Sequence, residues 1–177
     1  LKALASLSKT KSLDACLIVI GQDKQKAFRR LASELGVAAK VFFLGGRKDV
    51  AAWMRAADIL IHPAYAENTG NVLLEAIIAG LPVLTTTACG YAEYVTRAKA
   101  GSVLPEPFSQ QQLNKRLLQL LTQHALQPFD LTDLKASVLK SMPEQVITLL
   151  ENYQRPALNE QEPADALIAS DGWIDQA

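Results

Sequence analysis

Cysteine is scarce in this chain, with 2 among 177 residues. Cys16 falls in an apolar run and Cys89 beside a turn, which argues against a disulfide framework and for reduced thiols. An excess of charge of either sign is also missing: Lys and Arg number 18, Asp and Glu 18, and the formal net charge is zero. Without a global basic field, broad nucleic-acid binding is not expected. No apolar run approaches the roughly 20 residues needed to span a bilayer as a helix. No internal repeat is visible. Apolar content of 49% and charged content of 20% are those of an ordinary globular domain.

What is present is an alternation of two periods. Nearly continuous apolar runs close on Gly, Pro or polar residues at Leu13–Ile20, Val41–Leu44, Ile59–His62, Pro82–Thr86 and Gly101–Leu104. They read as strands, the first of them buried on both faces. Between them stand helical patterns over Lys26–Leu35, with Gly36 as stop, and Val50–Ala57, with Asp49 as N-cap. Further helices are expected over 70–79, as a turn over 91–96, and over 111–121 with Ser109 as N-cap. Such alternation with short loops predicts βαβ units: an α/β fold with a Rossmann-like, doubly wound parallel sheet. Ligands of such sheets bind beyond the C-terminal ends of the strands.

Beyond residue 123 the pattern weakens. Residues 131–139 and 143–153 read as helices, and 156–177, with few apolar residues, as an exposed tail or linker. The expected organisation is one donor-binding domain over 1–155 and a tail over 156–177. The chain opens at Leu1 within a helical pattern (Leu1, Leu4, Leu7), so the expectation is a fragment lacking an N-terminal part.

The stretch Glu67-Asn-Thr-Gly70-Asn-Val-Leu-Leu-Glu75 carries the chemistry. Glu75 is the one charge in an apolar helix, and a carboxylate there is unfavourable unless something pairs with it. The helix start near Gly70 exposes backbone N–H groups, which attract an anion. Glu75 lies about 7–8 Å further along the axis, at ~1.5 Å per residue. Glu67 and Glu75 therefore bracket an anion site, and each carboxylate accepts hydrogen bonds from vicinal hydroxyls such as those of a sugar. Arg47, at the next strand end, is placed to add charge against a pyrophosphate, which an Arg stabilises without a metal. The blander readings make Arg47 a solvated loop charge, His62 a structural residue satisfied by backbone groups, and Cys89 a packed turn residue.

Glu67-x7-Glu75 followed by Ala-x-x-Ala-Gly80-x-Pro82-Val83 resembles the donor-binding half of the family-four retaining glycosyltransferases, which have the two-domain GT-B fold. Val19-Ile-Gly21, Val41-Phe-Phe-Leu-Gly45, Ala57-Asp58, His62-Pro63 and Cys89-Gly-Tyr91 extend the likeness over roughly 1–123. Gly46-Arg47-x-Asp49-Val50, His62-Pro-Ala-Tyr65 and Glu106-Pro-Phe-Ser109 narrow it to members that glucosylate lipopolysaccharide core. The resemblance implies that Glu67 faces the donor sugar as the catalytic carboxylate. It implies that Gly70, Asn71 and Val72 offer N–H groups to the diphosphate, that Glu75 holds the ribose and that Arg47 sits near the nucleotide. The implied donor is UDP-glucose or a related UDP-sugar, with retention of configuration and neither metal nor other cofactor. The implied acceptor is a lipid-linked glycan, which would hold the intact cytoplasmic enzyme at the inner membrane face. Two of the family's parts are not in these residues: an Arg/Lys pair just upstream of the opening helix, and the N-terminal acceptor-binding domain. The fragment is therefore expected not to transfer sugar alone. Two other readings stand beside this one: a glycosidase using both carboxylates, and a non-catalytic nucleotide-binding or scaffold module.

Overall fold

A computed structural model describes residues 1–10, 13–21, 25–122 and 129–131. The helices expected over 131–139 and 143–153 and the tail over 156–177 lie outside the described residues, apart from Leu131. In chain order the elements are α1 (Lys2–Leu7), β1 (Leu17–Ile20), α2 (Gln25–Glu34) and a short 3-10 turn (Ala38–Lys40). β2 (Val41–Gly45), α3 (Val50–Ala56), β3 (Leu60–His62) and α4 (Asn71–Ile78) follow, then β4 (Val83–Thr86), α5 (Ala92–Arg97), β5 (Gly101–Leu104) and α6 (Gln110–Thr122). Every strand pair is parallel, as the alternation predicts. At the start of α6 the Ser109 hydroxyl accepts from the Gln112 N–H (3.1 Å) and the Gln112 side chain accepts from the Ser109 N–H (2.8 Å). This reciprocal capping fixes where α6 begins.

The strands form two ladders, β1–β2 and β3–β4–β5, rather than one continuous hydrogen-bonded sheet. The chain passes from one to the other through α3. α1 ties them together by packing: Leu4 sits with Ala32, Val37 and Val41 over β1–β2, whereas Ala3 and Leu7 sit with Leu84, Leu104, Leu113 and Leu117 over the second ladder.

β4 is the centre of the fold, with all four residues buried. Alternate side chains of a strand face opposite ways. Val83 joins Leu73, Leu74 and Ile77 of α4 and Val95 of α5, while Leu84 joins α1 and α6. Both faces of this ladder are therefore covered. β1 differs from its sequence reading. One face packs as expected, but Ile18 is 37% exposed and its cross-strand partner Phe42 50% exposed. The continuous apolar run records hydrophobicity, not how many faces the packing covers. Cys16, ahead of β1, is exposed, and Cys89 is buried.

Two threonines of β4 turn this buried strand into a support for the loops at its C-terminal end. The Thr85 hydroxyl donates to the His62 carbonyl (3.0 Å), and the Thr86 hydroxyl donates to the Ala64 carbonyl. Both side chains have no exposed surface. A buried hydroxyl needs such a partner, and the bond fixes the backbone that leads out of β3. Replacing Thr86 by Val is expected to lower stability by about 1–3 kcal/mol, because the part-buried Ala64 carbonyl loses a donor. Thr86→Ser should retain most of it. Urea unfolding of both variants checks this, and a Val variant as stable as the parent, with the loss in the Ser variant instead, would show that the methyl group, not the hydroxyl, matters.

Candidate functional site

The loop from Pro63 to Gly70 runs from the end of β3 to the start of α4, at the C-terminal edge of the second ladder. Gly70 is the N-cap residue of α4 and is left-handed, with φ 74° and ψ 46°. That conformation favours glycine, and it turns the chain sharply into the helix. Among the described residues no side chain caps α4. The Leu73 N–H returns to the Gly70 carbonyl (2.9 Å), leaving the N–H groups of Asn71 and Val72 in the unsatisfied first turn. An uncapped first turn carries partial positive charge and free donors.

A second turn holds this loop. The Tyr91 N–H donates to the Thr69 carbonyl (2.9 Å). Gly90 lies against the same backbone, where an added Cβ would stand 2.5 Å from the Asn68 carbonyl oxygen. Only a residue without a side chain lets the 67–70 loop settle there. In the sequence Gly90 is only the middle of the Cys89-Gly-Tyr91 motif, and its purpose emerges from this close approach.

The two carboxylates have different surroundings. Glu67 is exposed and accepts from the Asn68 N–H at 3.0 Å. Its other oxygen lies 3.7 Å from His62 Nε2. Nε2 of His62 is buried without a hydrogen-bond partner among the described residues. The expectation that backbone groups satisfy the His62 side chain is therefore not met: its carbonyl is fixed by Thr85, but its ring faces Glu67 across a gap. Glu75 is half-buried, with no ion pair or hydrogen bond to its side chain among the described residues. Burial pushes its carboxyl pKa up from the ordinary value. The alternative of a neighbouring salt-bridge partner for Glu75 is thus not realised here.

Arg47 stands apart from this pair. It follows β2, in the other ladder, and engages Asp49 through two bonds, Nε to Oδ1 at 2.9 Å and Nη2 to Oδ2 at 2.8 Å. The hydrogen bond from Arg47 holds the Asp49 carboxyl down at about 2. Asp49 precedes α3 as expected, but its side chain makes no cap bond, because the guanidinium occupies both carboxylate oxygens. The guanidinium carbon also stands 6.0 Å from the Trp53 ring. Glu67, Gly70, Asn71, Val72 and Glu75 lie on one loop and the helix that it opens, whereas Arg47 follows β2 of the other ladder and is paired within its own loop. Among the described residues no group of three or more His, Cys, Asp or Glu is arranged to hold a metal ion.

An uncapped helix start at the C-terminal edge of a parallel ladder, with a carboxylate before it and another inside it, offers N–H donors to an anion and acceptors to hydroxyls. The chain belongs to the glycosyl transferases group 1 family, whose model matches residues 1–128. Over 126 residues it is 55% identical to the lipopolysaccharide glucosyltransferase WaaG of Escherichia coli (strain K12), covering 71% of this chain and 34% of that protein. The crystal structure of WaaG, a glycosyltransferase involved in lipopolysaccharide biosynthesis, superposes with a TM-score of 0.66 at 56% identity, over 69% of this chain and 33% of that one. Anabaena Alr3699/HepE in complex with UDP-glucose superposes with a TM-score of 0.57 at 26% identity, over 68% and 34% of the two chains. The chain thus spans about a third of the length of these relatives.

Two outcomes follow from the site's geometry. Gly90→Ala should push the 67–70 loop off its seat, visible as chemical-shift changes at Asn68, Thr69 and Gly70; shifts confined to residues 89–91 would show the loop does not depend on Gly90. For Glu75, a carboxyl whose folded pKa is raised destabilises the folded state once ionised. The folded state binds the proton more tightly, so stability is greatest below the unfolded pKa and falls as pH rises through the folded value. Glu75→Gln should therefore raise the urea midpoint at pH 7, and the gain should vanish below about pH 4, near the ordinary Glu value. A pH-independent gain would count against desolvation of the carboxylate.

Proposed function

We propose that this chain is the donor-binding half of a retaining glycosyltransferase that moves a hexose, glucose in our reading, from a UDP-sugar to a lipopolysaccharide core or related glycan. The observation that carries the reading is the uncapped start of α4 with Glu67 before it and Glu75 inside it. In this reading the diphosphate lies against the N–H groups of Gly70, Asn71 and Val72. Glu75 accepts from the ribose hydroxyls, which supply the partner its half-buried carboxylate lacks. Glu67 faces the hexose and stabilises positive charge at the anomeric carbon. Arg47 reaches the nucleotide only by sharing or leaving Asp49. Relatives named for UDP-glucose binding and for lipopolysaccharide glucosylation support the donor and acceptor classes.

The donor-binding domain in this reading extends over 1–155, and acceptor binding falls to a second domain, since the chain spans about a third of its relatives. The intact enzyme works in the cytoplasm at the inner membrane face, where a lipid-linked acceptor lies. No helix among the described residues is long and apolar enough to cross a membrane. A two-carboxylate glycosidase loses its ground once the family is known.

Titration calorimetry with UDP and UDP-glucose tests the reading. The chain should bind both, and Glu75→Ala should weaken UDP by about tenfold or more, the loss of charge-assisted hydrogen bonds. EDTA should leave the affinity unchanged, and the chain alone should transfer no glucose. Undetectable UDP binding, or a Glu75→Ala variant that binds like the parent, would overturn the assignment.

A further inference from the structure

Nε2 of His62 is buried and has no hydrogen-bond partner among the described residues, although the side chain as a whole is 29% exposed. It is this nitrogen, rather than the whole ring, that is shut off from water. A buried polar atom in that state costs free energy until a partner reaches it. The carboxylate facing it is that of Glu67, whose Oε2 stands 3.7 Å away. That separation exceeds a hydrogen bond by about half an ångström.

The backbone on both sides of the pair is fixed. The His62 carbonyl accepts from the Thr85 hydroxyl and from the Ala64 N–H, both at 3.0 Å. Two residues before Glu67, the Tyr65 ring stacks on Phe108, with centroids 5.1 Å apart and planes 21° from parallel. Two residues after it, the Thr69 carbonyl accepts from the Tyr91 N–H. Glu67 Oε1 accepts from the Asn68 N–H, so Oε2 is the oxygen turned to the imidazole. With the loop held at both ends, the part left to close the gap is the Glu67 side chain. Hydrogen bonds that orient reacting groups are often long in a free protein and tighten when the ligand is bound. A carboxylate with a donor on each oxygen keeps its remaining lone pairs in one direction.

We propose that His62 is a positioning residue for Glu67: with a donor sugar against the carboxylate, His62 Nε2–H donates to Glu67 Oε2 and fixes the carboxylate's orientation. The inference rests on the reading of Glu67 as the carboxylate that faces the donor hexose. His62 acts through Glu67 and touches neither hexose nor diphosphate. UDP and UDP-glucose are titrated into the full chain and into two variants. His62→Phe keeps a flat ring without the donor, and His62→Gln keeps an N–H donor. His62→Phe should weaken UDP-glucose about fivefold, the scale of one hydrogen bond to a charged acceptor, with the Kd for UDP within about twofold of the parent. His62→Gln should hold UDP-glucose within about twofold of the parent. Nitrogen-15 spectra of the imidazoles add a signature that a purely structural ring would not give. His62 and His124 are the two histidines, and the signal lost in His62→Gln identifies the first. At saturating UDP-glucose that ring should carry a hydrogen on Nε2, and its signal should differ from that of the free chain. The role is overturned if His62→Phe weakens UDP and UDP-glucose alike, if it binds both as the parent does, or if His62→Gln binds UDP-glucose no better than His62→Phe. A ring with its hydrogen on Nδ1 alone in the UDP-glucose complex overturns it as well. Failure of the parent chain to bind UDP overturns the donor reading itself, a distinct result.

Discussion

Burial of β4 is the constraint on which the rest of this molecule depends. A strand covered on both faces has nowhere to expose a polar side chain, yet β4 ends in Thr85 and Thr86, both without exposed surface. Each hydroxyl must find an acceptor inside the fold, and the acceptors within reach are the carbonyls of His62 and Ala64. Satisfying the strand therefore fixes the loop. The backbone that carries Tyr65, Glu67 and Gly70 is held by the same bonds that make the core possible, so the site's position is a consequence of core chemistry. From the other side, Gly90 and the Tyr91 N–H clamp the far end of that loop, at Asn68 and Thr69.

Much of this was legible in the sequence, and for physical reasons. Strand positions followed from apolar runs closed by Gly or Pro, because burial and turn chemistry act locally: β5 was read at Gly101–Leu104 and stands there, and β3 and β4 shift by one residue at their starts. Ser109 was read as a cap because a hydroxyl before a helix has few other uses, and it caps. Asp49 was read by the same rule and fails it, since Arg47 two residues earlier offers a charged partner that outcompetes a backbone N–H. Burial on both faces of β1 could not be read, because an apolar run is silent about which helices lie over it. Nor could the Tyr65–Phe108 stack, which joins residues far apart in sequence, or the fit of Gly90 against Asn68.

The site residues divide along the same line. Gly70, Asn71, Val72 and Glu75 are consecutive enough that helix geometry alone relates them, and the structure keeps them as one unit. Arg47 belongs to a different ladder, and only the tertiary arrangement decides whether it faces them. Its bidentate bond to Asp49 means any role at a nucleotide competes with an existing charge pair. That pair is exposed and screened, so exchanging one anion for another there is energetically easy. An arginine held ready by a surface carboxylate is thus no argument against its serving a phosphate.

Glu75 and Glu67 show how one short segment can supply two kinds of carboxylate. Glu75 sits half-buried without a side-chain partner among the described residues, and burial raises its pKa. Glu67, in the loop, is exposed, accepts one backbone N–H and stands within 4 Å of an imidazole nitrogen that has no hydrogen-bond partner among the described residues. The first arrangement gains from a ligand that brings hydroxyl donors into a semi-dry space, where each hydrogen bond to a charged acceptor is worth more than in water. The second stays open to solvent.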